Sequence, residues 1–133
     1  MILSKKTIGD FIKKGKIQIS PTPELKEESV KLHFSESLKI KSKTFALSST
    51  LERIKLSSGI VGFYDGYAKL SQQGIITHLG SMFVDSDTDG VLTLEIFNFT
   101  EKDVNIKKGD RSGQLILMEV KWKDFWKQIG FIF

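Results

Sequence analysis

His78-Leu-Gly-Ser-Met-Phe-Val-Asp85-Ser-Asp-Thr-Asp-Gly-Val-Leu-Thr-Leu-Glu95-Ile-Phe-Asn98 is the stretch that decides the fold. Its centre, from Asp85 to Gly90, gathers the residue types that suit a tight turn. The run from Val91 to Phe97 is the most apolar strand pattern in the chain. An acidic turn feeding such a strand reads as a hairpin. Along the strand Leu92 and Leu94 point one way and Thr93 and Glu95 the other. Glu95 therefore has two readings at this point. It is an outward-facing residue of a half-buried strand, or a functional acid whose pKa desolvation raises toward neutrality, so that it both takes and gives a proton. The Asp85, Asp87, Asp89, Gly90 spacing also matches the start of an EF-hand calcium loop. That loop's bidentate Glu position is apolar here and the flanks read as strands, which argues against calcium.

The period of two extends outward from this stretch. Val30, Leu32 and Phe34 alternate with Lys31 and His33, and Leu38 and Ile40 alternate with Lys39 and Lys41. Further strand-like runs are Phe45 to Leu56, Gly59 to Tyr64 and Ser112 to Val120, separated by turns at Ser57-Ser58-Gly59 and Lys108-Gly109-Asp110. Many short strands at close spacing predict a mainly β fold, a distorted barrel, because closure removes exposed edges. Two helices bracket it. Ser4 is the expected N-cap of a short first helix, with Ile8, Phe11 and Ile12 on one face and Gly15 as its stop. A short strand, Lys16 to Ser20, follows. In the tail, residues 121–133, Trp122, Phe125, Trp126 and Ile129 share a helical face. That face packs on the barrel or a neighbouring subunit, covers a ligand site as a lid, or binds a partner. The expected division is a barrel domain, 1–120, and this amphipathic tail.

At 133 residues, with 40% hydrophobic and 27% charged residues, the chain has the size and balance of one globular domain. No apolar run approaches the roughly 20 residues that cross a bilayer, and the N-terminus lacks a signal-peptide pattern, so the expected location is the cytoplasm. Cysteine is absent, and His33 and His78 are the only histidines. Zinc-dependent base deamination, which needs a His/Cys metal site, is thereby excluded. A net charge of +4 suits an anionic partner but equally serves solubility. Nucleic-acid binding by a barrel wants basic and aromatic residues interleaved on a strand face, and only Phe63-Tyr64 and Tyr67-Ala68-Lys69 offer that.

Four segments, in order, carry a family resemblance. Met1-Ile-Leu-Ser with its short helix and Gly15-Lys16-Ile17-Gln18-Ile19-Ser20-Pro21 resembles the N-terminus of dCTP deaminases. Leu56 to Gly66 resembles the strand leading into a phosphate-binding motif, His78 to Asn98 the segment holding base and sugar, and Gly109 to Leu115 the last shared strand. The chain is thus similar, over about Met1 to Val120, to the dCTP deaminase and dUTPase superfamily. The resemblance implies a homotrimer with active sites shared between subunits. It implies Glu95 as general acid and base for attack of water on C4 of cytosine, with no metal on the protein. The substrate-binding set it implies is Asp85 at the sugar 3′-hydroxyl, Lys69 and Gln114 toward the phosphates, and Gln72 and Ser81. Mg²⁺ would arrive with a deoxynucleoside triphosphate.

The sequence departs from the family most at one motif. Where relatives read Gly-Arg-Ser-Ser-Leu-Ala-Arg-x-Gly, this chain reads Gly66-Tyr67-Ala68-Lys69-Leu70-Ser71-Gln72-Gln73-Gly74. Both aligned serines and both arginines are replaced, and bidentate guanidinium forks are the groups that grip a triphosphate. Val30-Lys31-Leu32 stands for Tyr-Asp-Leu, and Thr88 for an aromatic residue over the sugar. The expected function is deamination of dCTP to dUTP. The alternatives are dUTP diphosphate hydrolysis, with Asp85 orienting water, and a non-catalytic trimer that binds a nucleotide or another partner.

Overall fold

The computed structural model describes residues 1–120. The Trp122, Phe125, Trp126 and Ile129 face lies outside the described residues. Helix α1 (Lys5–Lys13) opens the fold. Ser4 Oγ accepts from the Thr7 amide at 3.3 Å, satisfying one of the orphan N–H groups of the first turn. Ile8 is fully buried beneath α1, and Gly15 takes the left-handed conformation (φ 74°) that ends it.

Strands β1 (Ile17–Ser20), β2 (Val30–His33), β3 (Leu38–Ile40), β4 (Phe45–Leu56) and β5 (Ile60–Gly66) follow, then a short helix α2 (Ala68–Gln72). Strands β6 (Ile75–Ile76), β7 (Phe83–Val84), β8 (Asp89–Asn98), β9 (Val104–Ile106) and β10 (Arg111–Glu119) complete the described chain. They form two four-stranded sheets, β1-β4-β8-β6 and β2-β10-β5-β7, and a ribbon β3-β9. The mainly β expectation holds, with the sheets left open at their ends rather than joined into a continuous barrel. Their inner faces supply one core. Ile17, Ile54, Leu56, Leu94 and Ile96 come from the first sheet and Val30, Leu32, Leu115 and Leu117 from the second. Phe34 is the largest fully buried side chain.

The two sheets are also clasped by a buried acid. The β4–β8 register slips between Ser49 and Arg53, and Thr50 Oγ1 fills the gap by accepting the Leu92 amide at 3.0 Å. The slip turns Glu52 inward, 4% exposed, where it accepts the His33 amide at 2.9 Å and meets His33 Nδ1 at 2.6 Å. A carboxylate at that depth is tolerated because both its oxygens are bonded.

The expected hairpin around Asp85 differs in the structure. Its first arm, β7, pairs with β5, while its second arm, β8, pairs with β4 and β6. The turn closes locally, with Thr88 N–H and Oγ1 both donating to the Asp85 carbonyl at 3.3 and 2.6 Å. The cause is burial: Val84 and Leu94 each reach the core, but through different sheets. The arms splay apart, and a cleft opens between them.

Candidate functional site

That cleft has a volume of about 250 Å³, and Tyr64, Ser81, Phe83, Asp85, Thr93 and Glu95 are among the residues that line it. Of the residues singled out in the sequence it brings together Glu95, Asp85 and Ser81. Alternation along β8 sends Leu94 into the core and leaves Glu95 half-buried at the cleft wall, as the strand period predicts. Glu95 N–H donates to the Thr77 carbonyl at 3.1 Å, which ties the strand to the loop before β7. The same loop reaches back to the side chain. Glu95 Oε1 accepts the amides of Gly80 at 2.9 Å and Ser81 at 3.2 Å.

These amides decide the acidity of Glu95. Hydrogen bonds from Gly80 and Ser81 hold its carboxyl below the usual carboxylate range, and the smaller effect of burial acts the other way. The sequence expectation ran in the opposite direction, from the apolar flanks of the strand. In the protomer the cleft mouth is open to water, so little solvation is lost while two N–H donors favour the anion.

Asp85 stands exposed at the turn, its carboxylate unbonded among the described residues. Asp85, Asp87 and Asp89 do not converge, and no group of three or more metal-type side chains gathers among the described residues.

Lys69 and Gln72 do not join the cleft. Both are exposed on α2, whose first turn lacks a side-chain cap. Gln114 lies in a second hollow of about 160 Å³, lined also by Lys26, Asp65, Tyr67 and Arg111. There its Nε2 donates to Asp65 Oδ2 at 2.9 Å and its Oε1 accepts from Ser29 Oγ at 2.8 Å. The Arg111 guanidinium covers the Tyr67 ring at 4.9 Å, and its Nε donates to the Gly113 carbonyl at 2.9 Å.

Tyr64 was not expected here. Its ring lines the cleft, His78 packs edge-on against it at 5.4 Å, and burial pushes its hydroxyl pKa up. Its Oη donates to the Ser112 carbonyl at 3.0 Å and shares a hydrogen bond with Thr77 Oγ1 at 2.8 Å. Phe63, next to it, points to the other face of β5 and meets Phe83 edge-on at 5.3 Å. The aromatics therefore do not form the interleaved strand face that nucleic-acid binding wants.

Glu95 borders an exposed apolar stripe. Leu47, 62% exposed, sits opposite Glu95 across the β4–β8 ladder, and Phe45, 52% exposed, sits opposite Phe97. The Phe97 and Phe99 rings meet at a tilt, 4.5 Å between centroids, alongside them.

Comparison with known proteins shows the family. Residues 26–120 match the family model described as dCTP deaminase-like. A dUMP-forming dCTP deaminase of Hydrogenobaculum sp. is 32% identical over 148 aligned positions, covering 90% of this chain and 83% of that protein. A dCTP deaminase of Thermococcus kodakarensis is 36% identical over 87 positions, 65% of this chain and 55% of the other. A dUMP-forming dCTP deaminase of Corynebacterium diphtheriae aligns over 41% of its own length. Among solved structures, the dUTPase of Staphylococcus bacteriophage 80alpha superposes with a TM-score of 0.69 at 16% identity, over 80% of this chain and 92% of that one. The dUTPase of phage phi11 of S. aureus, studied for a structural Mg(II) ion, gives 0.68 at 15% identity. At those identities the likeness is one of fold, and the sequence matches supply the rest: the chain belongs to the dCTP deaminase-like family.

Proposed function

We propose that this chain is a hydrolytic deaminase of cytosine deoxynucleotides, converting dCTP and water to dUTP and ammonia without a protein-bound metal. The observation that carries the reading is the meeting of Glu95 and Asp85 in one cleft, with the Glu95 carboxylate held ionised by loop amides. An ionised carboxylate takes a proton from water as its oxygen attacks C4 of cytosine. The resulting acid then protonates the departing amino group, ammonia leaves, and the remaining C4 hydroxyl proton passes to N3 as the uracil carbonyl forms. Returning that proton needs a drier site than the protomer offers. Ligand in the cleft and a neighbouring subunit over the Leu47–Phe97 stripe would both exclude water and move the carboxyl upward. Asp85, exposed at the turn, would accept a hydrogen bond from the sugar hydroxyl.

The stripe also supports the homotrimer, since a contiguous exposed apolar surface beside a polar site marks a contact surface. The hollow at Gln114 is separate from the cleft on one protomer, in keeping with a site completed by two subunits. Mg²⁺ belongs to this reading as the companion of the triphosphate, and the cytoplasm as its location. Full-length protein incubated with dCTP and Mg²⁺ should release ammonia, and Glu95→Gln should abolish it. Pyrophosphate from dUTP, with ammonia absent, would instead favour the diphosphatase chemistry named for the phage relatives of this fold. Silence with both nucleotides would leave a binding protein.

A further inference from the structure

We propose that residues 121–133 seat their apolar side on the outer face of this chain's own second sheet, β2-β10-β5-β7. Seating of the tail is independent of the chemistry proposed at Glu95. Its first support is the sequence of β10, where Leu115-Ile116-Leu117-Met118 is apolar without a break. An antiparallel sheet with one solvated face alternates apolar and polar residues, whereas an unbroken apolar run belongs to a strand covered on both faces. Leu115 and Leu117 are fully buried in the core, so Ile116 and Met118 point outward.

Register assembles the rest of that outer face. Ile116 lies opposite Phe63, and Met118 lies opposite Val61. Phe83 pairs with Phe63 and meets its ring edge-on at 5.3 Å, while Ile2 bridges to Met118. Val61 is buried yet stands apart from the core cluster, and Ile2 and Phe83 remain 54% and 47% exposed. The described helices pack elsewhere, α1 chiefly against β1 and α2 against β6. The Leu47–Phe97 stripe lies on the first sheet, so this is a second apolar face.

The occupant is identified by where the described chain stops. Val120 N–H donates to the Gly59 carbonyl at 2.7 Å, at the end of the sheet where Met118 pairs with Val61. Residues 121–133 follow at once. Their sequence places Trp122, Phe125, Trp126 and Ile129 on one helical side, with Lys121, Lys123 and Lys127 off it. As a helix they would span about 20 Å. Met118 and Phe83 are about 12 Å apart, reckoned as two strand spacings and two residue rises. The tail therefore starts beside the face, reaches across it and carries the apolar side chains to cover it.

Trp122 and Trp126 are the only tryptophans, so indole emission of the full chain reports on the tail alone. The emission maximum should lie to the blue of that of the urea-unfolded chain. Ile116→Lys and Met118→Lys should each move it to the unfolded position while the circular-dichroism melt stays cooperative. Should either fail to fold, Ile2→Lys at the exposed rim carries the same test. Leu47→Lys, on the first sheet, should leave the emission unchanged. A parent already at the unfolded position, or a maximum moved by Leu47→Lys and not by the second-sheet variants, overturns the proposal. The chain lacks cysteine, so Phe63→Cys with Trp126→Cys introduces a unique pair for a short bis-maleimide. Cross-linking within one chain supports the seat. Covalent dimers, which place a neighbour's tail or a second copy on the face, refute it, as does the absence of any cross-link.

Discussion

Replacing Gly113 by alanine drives a methyl group against the backbone carbonyl of Asp65 and to within 2.6 Å of Tyr64 Oη and 2.8 Å of Tyr64 Cζ. Neither neighbour can step aside. One is strand backbone, and the other is a ring fixed by hydrogen bonds to Thr77 and Ser112. Relief must come from parting β5 and β10 where Gly113 faces Gly66 and Gln114 faces Asp65. Overpacking that a side chain can absorb costs about 1–3 kcal/mol, and displaced backbone with loosened ladder bonds adds about 1 kcal/mol for each bond lost. A total of about 3–5 kcal/mol corresponds to a fall of roughly 10 °C or more in Tm for a chain of this size. Thermal melting followed by circular dichroism reads it. Gly9→Ala is the matched control, because a Cβ there meets nothing within 4 Å and α1 gains a better helix former. The reasoning fails if Gly113→Ala melts within about 2 °C of the parent.

Tyr64→Phe removes only the hydroxyl that joins Thr77 to Ser112, and it should cost about 1–3 kcal/mol in urea unfolding; an unchanged midpoint would count against the node. Asn98, fully buried, donates to the carbonyls of Ile40 and Lys102 and accepts from Thr100, so Asn98→Ala should lose about 2–4 kcal/mol and expose the β3–β9 ribbon to hydrogen exchange before the rest. Phe34→Ala leaves a cavity under the second sheet and should cost about 3–5 kcal/mol, read as a lower denaturation midpoint with unchanged slope. Glu95 has a depressed native pKa, so its contribution is present above the unfolded carboxylate value and is lost as pH falls through the native one. The Tm gap between parent and Glu95→Gln should therefore narrow as pH drops below about 4, and a gap that stays constant would contradict the amide bonding.

The elements read correctly from sequence are those with local signatures. Ser4 and Gly15 bound α1, β2 and β8 follow apolar alternation, β10 carries a continuous apolar run, and β4 alternates on either side of the slip between Ser49 and Arg53. Strands β6, β7 and β9, two or three residues each, exist only because a neighbouring strand pairs with them, and no local pattern announces that. The same limit governs the site. Asp85, Ser81 and Glu95 are near in sequence and meet in one cleft. Lys69, as a phosphate contact, and Gln72 looked like substrate-binding residues by alignment, but spacing cannot say which way α2 turns. Tyr64 has the sequence signature of a core aromatic, and its cleft wall appears only once β7 docks on β5. The acidity of Glu95 depended on Gly80 and Ser81, amides too far back in the chain for its apolar flanks to disclose.

Both loop amides share one oxygen of Glu95, Oε1, and leave Oε2 without a partner among the described residues. Protonating the carboxyl in the proposed cycle weakens its hold on the two amides, so turnover and loop order are thermodynamically linked. Solvent exchange at those two amides thus becomes a built-in gauge of where the glutamate's charge is directed, slow while the clasp is shut and quickening as the carboxylate turns to its work.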